Sequence, residues 1–229
     1  SARLPLIVVP SCPEFDYKRT DLPPCVRYVG HCAWHPHDAC ADKLLNRLPT
    51  ADPWVHVSEG TMYTGDPVLL RAACSGLGAL PMQVIMTTGT QREPETLRLG
   101  PVAPNITITS WIPHPALFPR TQVVVTHGGG GTVMAALASG VPLVVVPFMW
   151  DQPENAQRVA WAGAGIVLSP GSCTPERLRP AVNEVLTNPG YKENAIRIGS
   201  ALQRYRGLAE AAAQFETPAP IASRSAVSA

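Results

Sequence analysis

Short runs of β-branched and apolar residues recur along most of this chain, each closed by proline or glycine, with helix-like stretches between them. They are WVHV (Trp54–Val57), QVIMTT (Gln83–Thr88), NITITS (Asn105–Ser110), TQVVVTH (Thr121–His127), VPLVVVP (Val141–Pro147) and GIVL (Gly165–Leu168). Runs that are continuously apolar rather than alternating belong to strands covered on both faces. Between them, apolar residues recur from Pro67 through Leu80, over Val133–Ser139 and over Gln152–Gly163, where Pro153 lies in the first turn. Thr174 can cap a further helix to about Asn188, with Pro175 at its first position and Glu176 complementing the dipole. A last helical stretch runs from Tyr191 to about Phe215, weakened by Gly199 and Gly207. The alternation predicts an α/β fold, a Rossmann-like doubly wound parallel sheet with helices on both faces and ligands at the C-terminal strand ends.

The first fifty residues follow another rule. Leu6–Val9 reads as one strand, after which Pro10, Pro13, Pro23, Pro24, Pro36, Pro49 and Pro53 interrupt any long helix or central strand, leaving a linker. The tail 217–229 is mostly Pro, Ala and Ser and reads as disordered, so the sheet domain is expected over 51–216. The chain begins Ser-Ala-Arg without methionine, which reads as a piece of a longer protein.

Charge narrows the partners. Among 229 residues, 18 Lys and Arg face 17 Asp and Glu, so no field favours a nucleic acid or an anionic membrane surface. Val141–Trp150, broken by Pro142 and Pro147, is far short of the ~20 residues of a membrane span. Six cysteines at irregular separations, with no export signal, read as reduced thiols in a cytoplasmic protein.

The sharpest local feature is THGGGGTVMAALASGVP, Thr126–Pro142. A histidine, four glycines and an apolar helix suit a phosphate cradle, a dinucleotide fingerprint or an esterase oxyanion loop. The esterase needs a Gly-x-Ser-x-Gly elbow, and none occurs; Ser139-Gly140 reads as a helix stop. The fingerprint belongs after the first strand of a sheet, whereas these glycines follow about the fourth. A Walker loop needs a lysine that is missing here. The cradle remains: a helix beginning near Thr132 offers unpaired N–H groups to an anion, with His127 and Thr132 adding side-chain donors.

At these residues the chain resembles the nucleotide-sugar-dependent glycosyltransferases of the GT-B architecture, in particular the bacterial macrolide and antibiotic glycosyltransferases and their plant relatives. SEGT (Ser58–Thr61), WIPH (Trp111–His114), HGGGGT (His127–Thr132), GVPLVVVPF (Gly140–Phe148) and DQPENA (Asp151–Ala156) match in order, with PEFDY and RYVG in the linker. The resemblance implies one half of a GT-B pair, with residues 1–50 ending the N-terminal domain and forming the inter-domain linker. It implies a UDP- or TDP-sugar donor as substrate, with no further cofactor. Trp111 would stack on the base while the Ile112 backbone reads its edge, and His127, Gly129, Gly130, Gly131 and Thr132 would hold the diphosphate. Ser58, Gly60 and Thr61 would close the first loop over it, and Asp151 and Gln152 would bond the sugar. His114 stands where plant members carry Gln.

The resemblance also implies an inverting transfer to a hydroxyl of a small natural-product-like acceptor. Acceptor pocket and catalytic base would lie in an N-terminal domain, so no catalytic residue is assigned to this chain, and the chain alone is expected not to transfer. No metal is expected, since no Asp-x-Asp occurs. Ala135 occupies a position where many members carry a ribose-gripping Glu. The alternative is a non-catalytic nucleotide-sugar sensor.

Plainer readings stand beside these. His31, Cys32, His35, His37 and Cys40 form either a solvated linker or a metal knuckle. Trp111 could be a core aromatic, and Asp151 a helix cap as well as a sugar ligand. His56, inside a strand, is read as structural; Glu59 should turn away from a diphosphate; Cys74 and Cys173 are small apolar or surface residues.

Overall fold

The computed structural model describes residues 6–33, 39–61 and 65–216. Strands β3 (Trp54–Ser58), β4 (Gln83–Thr87), β5 (Ile106–Thr109), β6 (Thr121–Thr126), β7 (Leu143–Val145) and β8 (Gly165–Val167) form one six-stranded sheet, ordered β5-β4-β3-β6-β7-β8. Every pairing is parallel. The chain fills one side of β3, then crosses to the other, which is the Rossmann order with its switch point between β3 and β6.

The apolar runs are continuous because both faces are covered. Val123, Val125, Val144 and Val146 enter one core layer with helices α2 (Val68–Leu77) and α6 (Pro175–Thr187). Val124, Leu143 and Val145 enter the other, with α3 (His114–Leu117), α4 (Gly130–Ala138), α5 (Gln152–Trp161) and α7 (Pro189–Leu202). Gly199 lets α7 press onto α4, since a Cβ there would lie 2.6 Å from the Leu137 carbonyl oxygen.

Several local expectations are corrected. The glycine-run helix starts at Gly130 rather than near Thr132, so Gly130 and Gly131 are its first turn. Helix α2 stops at Leu77, short of Leu80. Thr174 occupies the N-cap position of α6, yet its side chain makes no capping hydrogen bond. The last helical stretch is two helices, α7 and α8 (Leu208–Glu216), and the break falls at Gln203–Gly207. Gly207 at φ +56° turns its N–H to the Val29 carbonyl, 2.9 Å away.

The described residues ahead of β3, read as a linker in the sequence, carry more structure than one strand. β1 (Ile7–Val9) pairs in parallel with β2 (Val26–Tyr28), and α1 (Ala39–Leu45) follows. Cys12, Phe15, Ala41 and Leu45 are buried in the same layer as α4 and α7. Three-residue strands leave no periodicity to read. The tail from Thr217 lies outside the described residues.

Candidate functional site

β3 and β6 lie side by side with Ser58 opposite Thr126, so the loops after them leave the sheet together at the switch point. Between those loops opens a cavity of about 450 Å³. Its wall includes Ser58, Gly60 and Thr61 from the β3 loop, and His127, Gly129, Gly130, Gly131 and Thr132 from the β6 loop. Trp111 and Ile112 join from beyond β5, and Asp151 and Gln152 from the start of α5. Every donor-site residue singled out in the sequence therefore meets in one cavity.

The His127 imidazole is the centre of the wall. A Cβ on Gly60 would come within 2.4 Å of its Cε1, and one on Gly129 within 2.5 Å of its Nε2, so both glycines exist to admit the ring. Its Nδ1 lies 3.2 Å from the Thr126 hydroxyl. Burial pushes its pKa down, while a bond to the Ser58 backbone and the Asp151 carboxylate pull it up; the net direction is down.

Helix α4 brings its N-terminus to the cavity. Its first i→i−4 bond is Val133 N–H to the Gly129 carbonyl, 3.1 Å, so the amides of Gly130, Gly131 and Thr132 precede the hydrogen-bonded ladder. Gly129 at the N-cap offers no side-chain cap, and a Cβ on Gly131 would meet nothing within 4 Å. Gly130, Gly131 and Thr132 all line the cavity, where a helix N-terminus can receive an anion.

The other residues fall into distinct roles. Ser58 Oγ accepts from Gly60 N–H at 3.1 Å, so that hydroxyl and that amide shape the loop. Ile112 is 3% exposed with its side chain in the core, which leaves only its backbone for the cavity. Trp111 is half-buried at the cavity wall and belongs to neither core cluster, against the core-aromatic reading. Asp151 sits at the N-cap of α5 without capping it, which corrects the cap reading; its carboxylate accepts from Asn155 Nδ2 at 2.8 Å. Asn155 also donates to the Gly128 carbonyl at 2.9 Å, tying the two loops together. Gln152 is 3% exposed, and its Oε1 accepts from the Phe148 and Met149 N–H groups at 2.8 and 3.0 Å. Two backbone donors fix the amide's orientation, so Nε2 is the end left for a ligand. Ala135 is 4% exposed in the core beneath the cavity wall.

Glu59 turns away from the cavity as the sequence reading requires. It is fully buried, pairs with Arg92 Nη2 at 2.9 Å and accepts from Leu69 N–H at 2.8 Å. His56 is structural: it is 1% exposed, its Nε2 lies 3.0 Å from Thr87 Oγ1, and burial drives its pKa down to about 3. Cys74 and Cys173 are buried, with burial raising both thiols.

Sequence reasoning missed Trp150, Ser110 and Gly89, which also line the cavity. His31 and Cys32 line it too, rather than lying in a solvated linker. Among the described residues, no group of three or more His, Cys, Asp or Glu could hold a metal; His35, His37 and the Cys40 side chain lie outside them. No described helix is long and apolar enough to cross a membrane.

A parallel sheet in Rossmann order, presenting a helix N-terminus and a half-buried histidine at its switch point, defines a Rossmann-like α/β fold. Residues 72–214 match the family of the erythromycin biosynthesis protein CIII-like, C-terminal domain, and the chain belongs to that family. It is 37% identical over 194 residues to 4'-demethylrebeccamycin synthase of Lentzea aerocolonigenes, covering 84% of this chain and 45% of that protein. It is 33% identical over 189 residues to demethyllactenocin mycarosyltransferase of Streptomyces fradiae, covering 82% of this chain and 40% of that one. The calicheamicin glycosyltransferase CalG4 superposes with a TM-score of 0.79 at 28% identity, over 94% of this chain and 54% of that one. The chain thus spans about half the length of the proteins it matches.

Proposed function

We propose that this chain is the nucleotide-sugar donor-binding half of an inverting, metal-independent glycosyltransferase acting on a hydroxyl of a small natural-product-like acceptor. The observation that carries the reading is that Gly130, Gly131 and Thr132, whose amides precede the α4 ladder, line one cavity with His127. A diphosphate lies there, the base rests on Trp111 with the Ile112 backbone at its edge, and the sugar meets Asp151 and Gln152 Nε2.

In the transfer, an acceptor oxygen attacks the anomeric carbon as its proton passes to a base outside this chain. The bond to the diphosphate breaks and negative charge grows on the departing oxygens. The helix terminus, Thr132 and His127 receive that charge, in the role that a metal ion fills in other transferases.

Calorimetric titration with thymidine and uridine diphosphates tests the reading; VinC and SpnG, which share the fold, are solved with the thymidine compound. Thr132→Val and His127→Ala each weaken binding by roughly 1.5–3 kcal/mol, the range for hydrogen bonds to charged groups, and EDTA leaves it unchanged. Binding that ignores both substitutions would place the nucleotide elsewhere.

A further inference from the structure

The turn between β7 and α5 runs along the cavity mouth, pinned by Gln152 Oε1 at the amides of Phe148 and Met149. Trp150 completes it at φ +56°, a left-handed backbone that glycine and asparagine adopt readily and a bulky residue does not. Its indole is 67% exposed and lines the cavity next to Asp151. Neither packing nor backbone preference accounts for this side chain: it covers little apolar surface, and a smaller residue would relieve the turn. Strain kept at the rim of a site points to a ligand contact.

We propose that Trp150 is the stacking platform for the transferred sugar. A pyranose carries C–H bonds on one face and hydroxyls on its edge. The indole receives the C–H face while Asp151 and Gln152 Nε2 bond the hydroxyls. Strand order sets it apart from Trp111, the residue assigned to the base. Trp111 follows β5 and Trp150 follows β7, four strand spacings away, or about 19 Å at ~4.8 Å per strand. The inference rests on the donor-site reading above and adds a specificity-determining residue to it.

The test compares thymidine diphosphate with thymidine diphosphate glucose by calorimetry on the full chain and on Trp150→Gly, Trp150→Asn and Trp150→Phe. Glycine and asparagine suit φ +56°, so both variants melt at or above the wild-type temperature. The nucleotide alone binds all four proteins equally. The extra affinity conferred by glucose falls about three- to tenfold in the Gly and Asn variants and is largely kept by Phe, the range of an aromatic contact. A glucose increment that is absent from the wild type, or that survives in the Gly and Asn variants, overturns the inference. Failure of thymidine diphosphate to bind at all, with uridine diphosphate equally inert, removes the donor-site reading itself, and the inference with it.

Discussion

The His127 ring occupies the volume that a side chain on Gly60 would need: an added Cβ would stand 2.4 Å from Cε1. Gly60 also has φ +76°, so the β3 loop reaches the ring only as bare, left-handed backbone. Gly60→Ala is expected to cost on the order of 1–3 kcal/mol of stability and to displace His127 from the cavity wall. Thermal melting reads the first effect and nucleoside diphosphate titration the second. An alanine variant with unchanged melting and binding would show that the two loops are not interlocked.

Glu59 and Arg92 form a buried pair between the loops after β3 and β4, with side-chain exposures of 0% and 7%. Arg92 Nε also donates to the Thr88 carbonyl at 3.1 Å, and Thr88 Oγ1 donates to the Arg92 carbonyl at 2.6 Å. Burial raises the Glu59 pKa, while its bonds from Arg92 and Leu69 work the other way. Arg92→Leu strands the carboxylate and is expected to cost about 3–5 kcal/mol. Glu59→Leu combined with Arg92→Leu should recover most of that loss, because two apolar residues need no compensation. Urea denaturation of the single and double variants measures both; a double variant no better than the single one would make the pair's other bonds the stabilising element.

Acid should destabilise the chain through imidazoles whose pKa the fold lowers. His56 titrates at about 3 in the folded chain against an ordinary 6.5, and His127 is also lowered. The unfolded chain therefore binds more protons below about pH 6.5, and stability falls as pH drops through that value toward 3. Between those two values His56 contributes a slope of about 1.4 kcal/mol per pH unit; His127 works in the same sense and the raised Glu59 in the opposite one. Denaturation midpoints at pH 7, 6 and 5 should show His56→Gln, which can still reach Thr87, with a slope shallower by about one proton. Equal slopes in the two proteins would contradict the burial of a neutral His56.

Much of the site was legible because its chemistry needs particular residues in a particular order. A glycine run between strand and helix implies free amides, and Trp111 upstream with Asp151 and Gln152 downstream set a direction along the cavity. The illegible parts depend on distant partners. Glu59 and Arg92 lie 33 positions apart with no shared periodicity. Trp150 looks like any other aromatic until its backbone angle and exposure are known. The cap readings at Thr174 and Asp151 failed because a capping residue type and position do not specify which hydrogen bond its side chain makes.

By itself the sequence determined a parallel α/β sheet covered on both faces and a glycine turn into a helix start after its fourth strand. Those properties follow from nearest-neighbour facts: which residues are β-branched, where proline and glycine stop a run, and which amides a helix start leaves free. Only the tertiary structure decided that the strand order reverses between β3 and β6. Each apolar run could pair with any other, and the order is set by helix packing across the whole sheet. That reversal brings Gly60 beside His127 and lets Trp111, after β5, and Trp150, after β7, line one cavity.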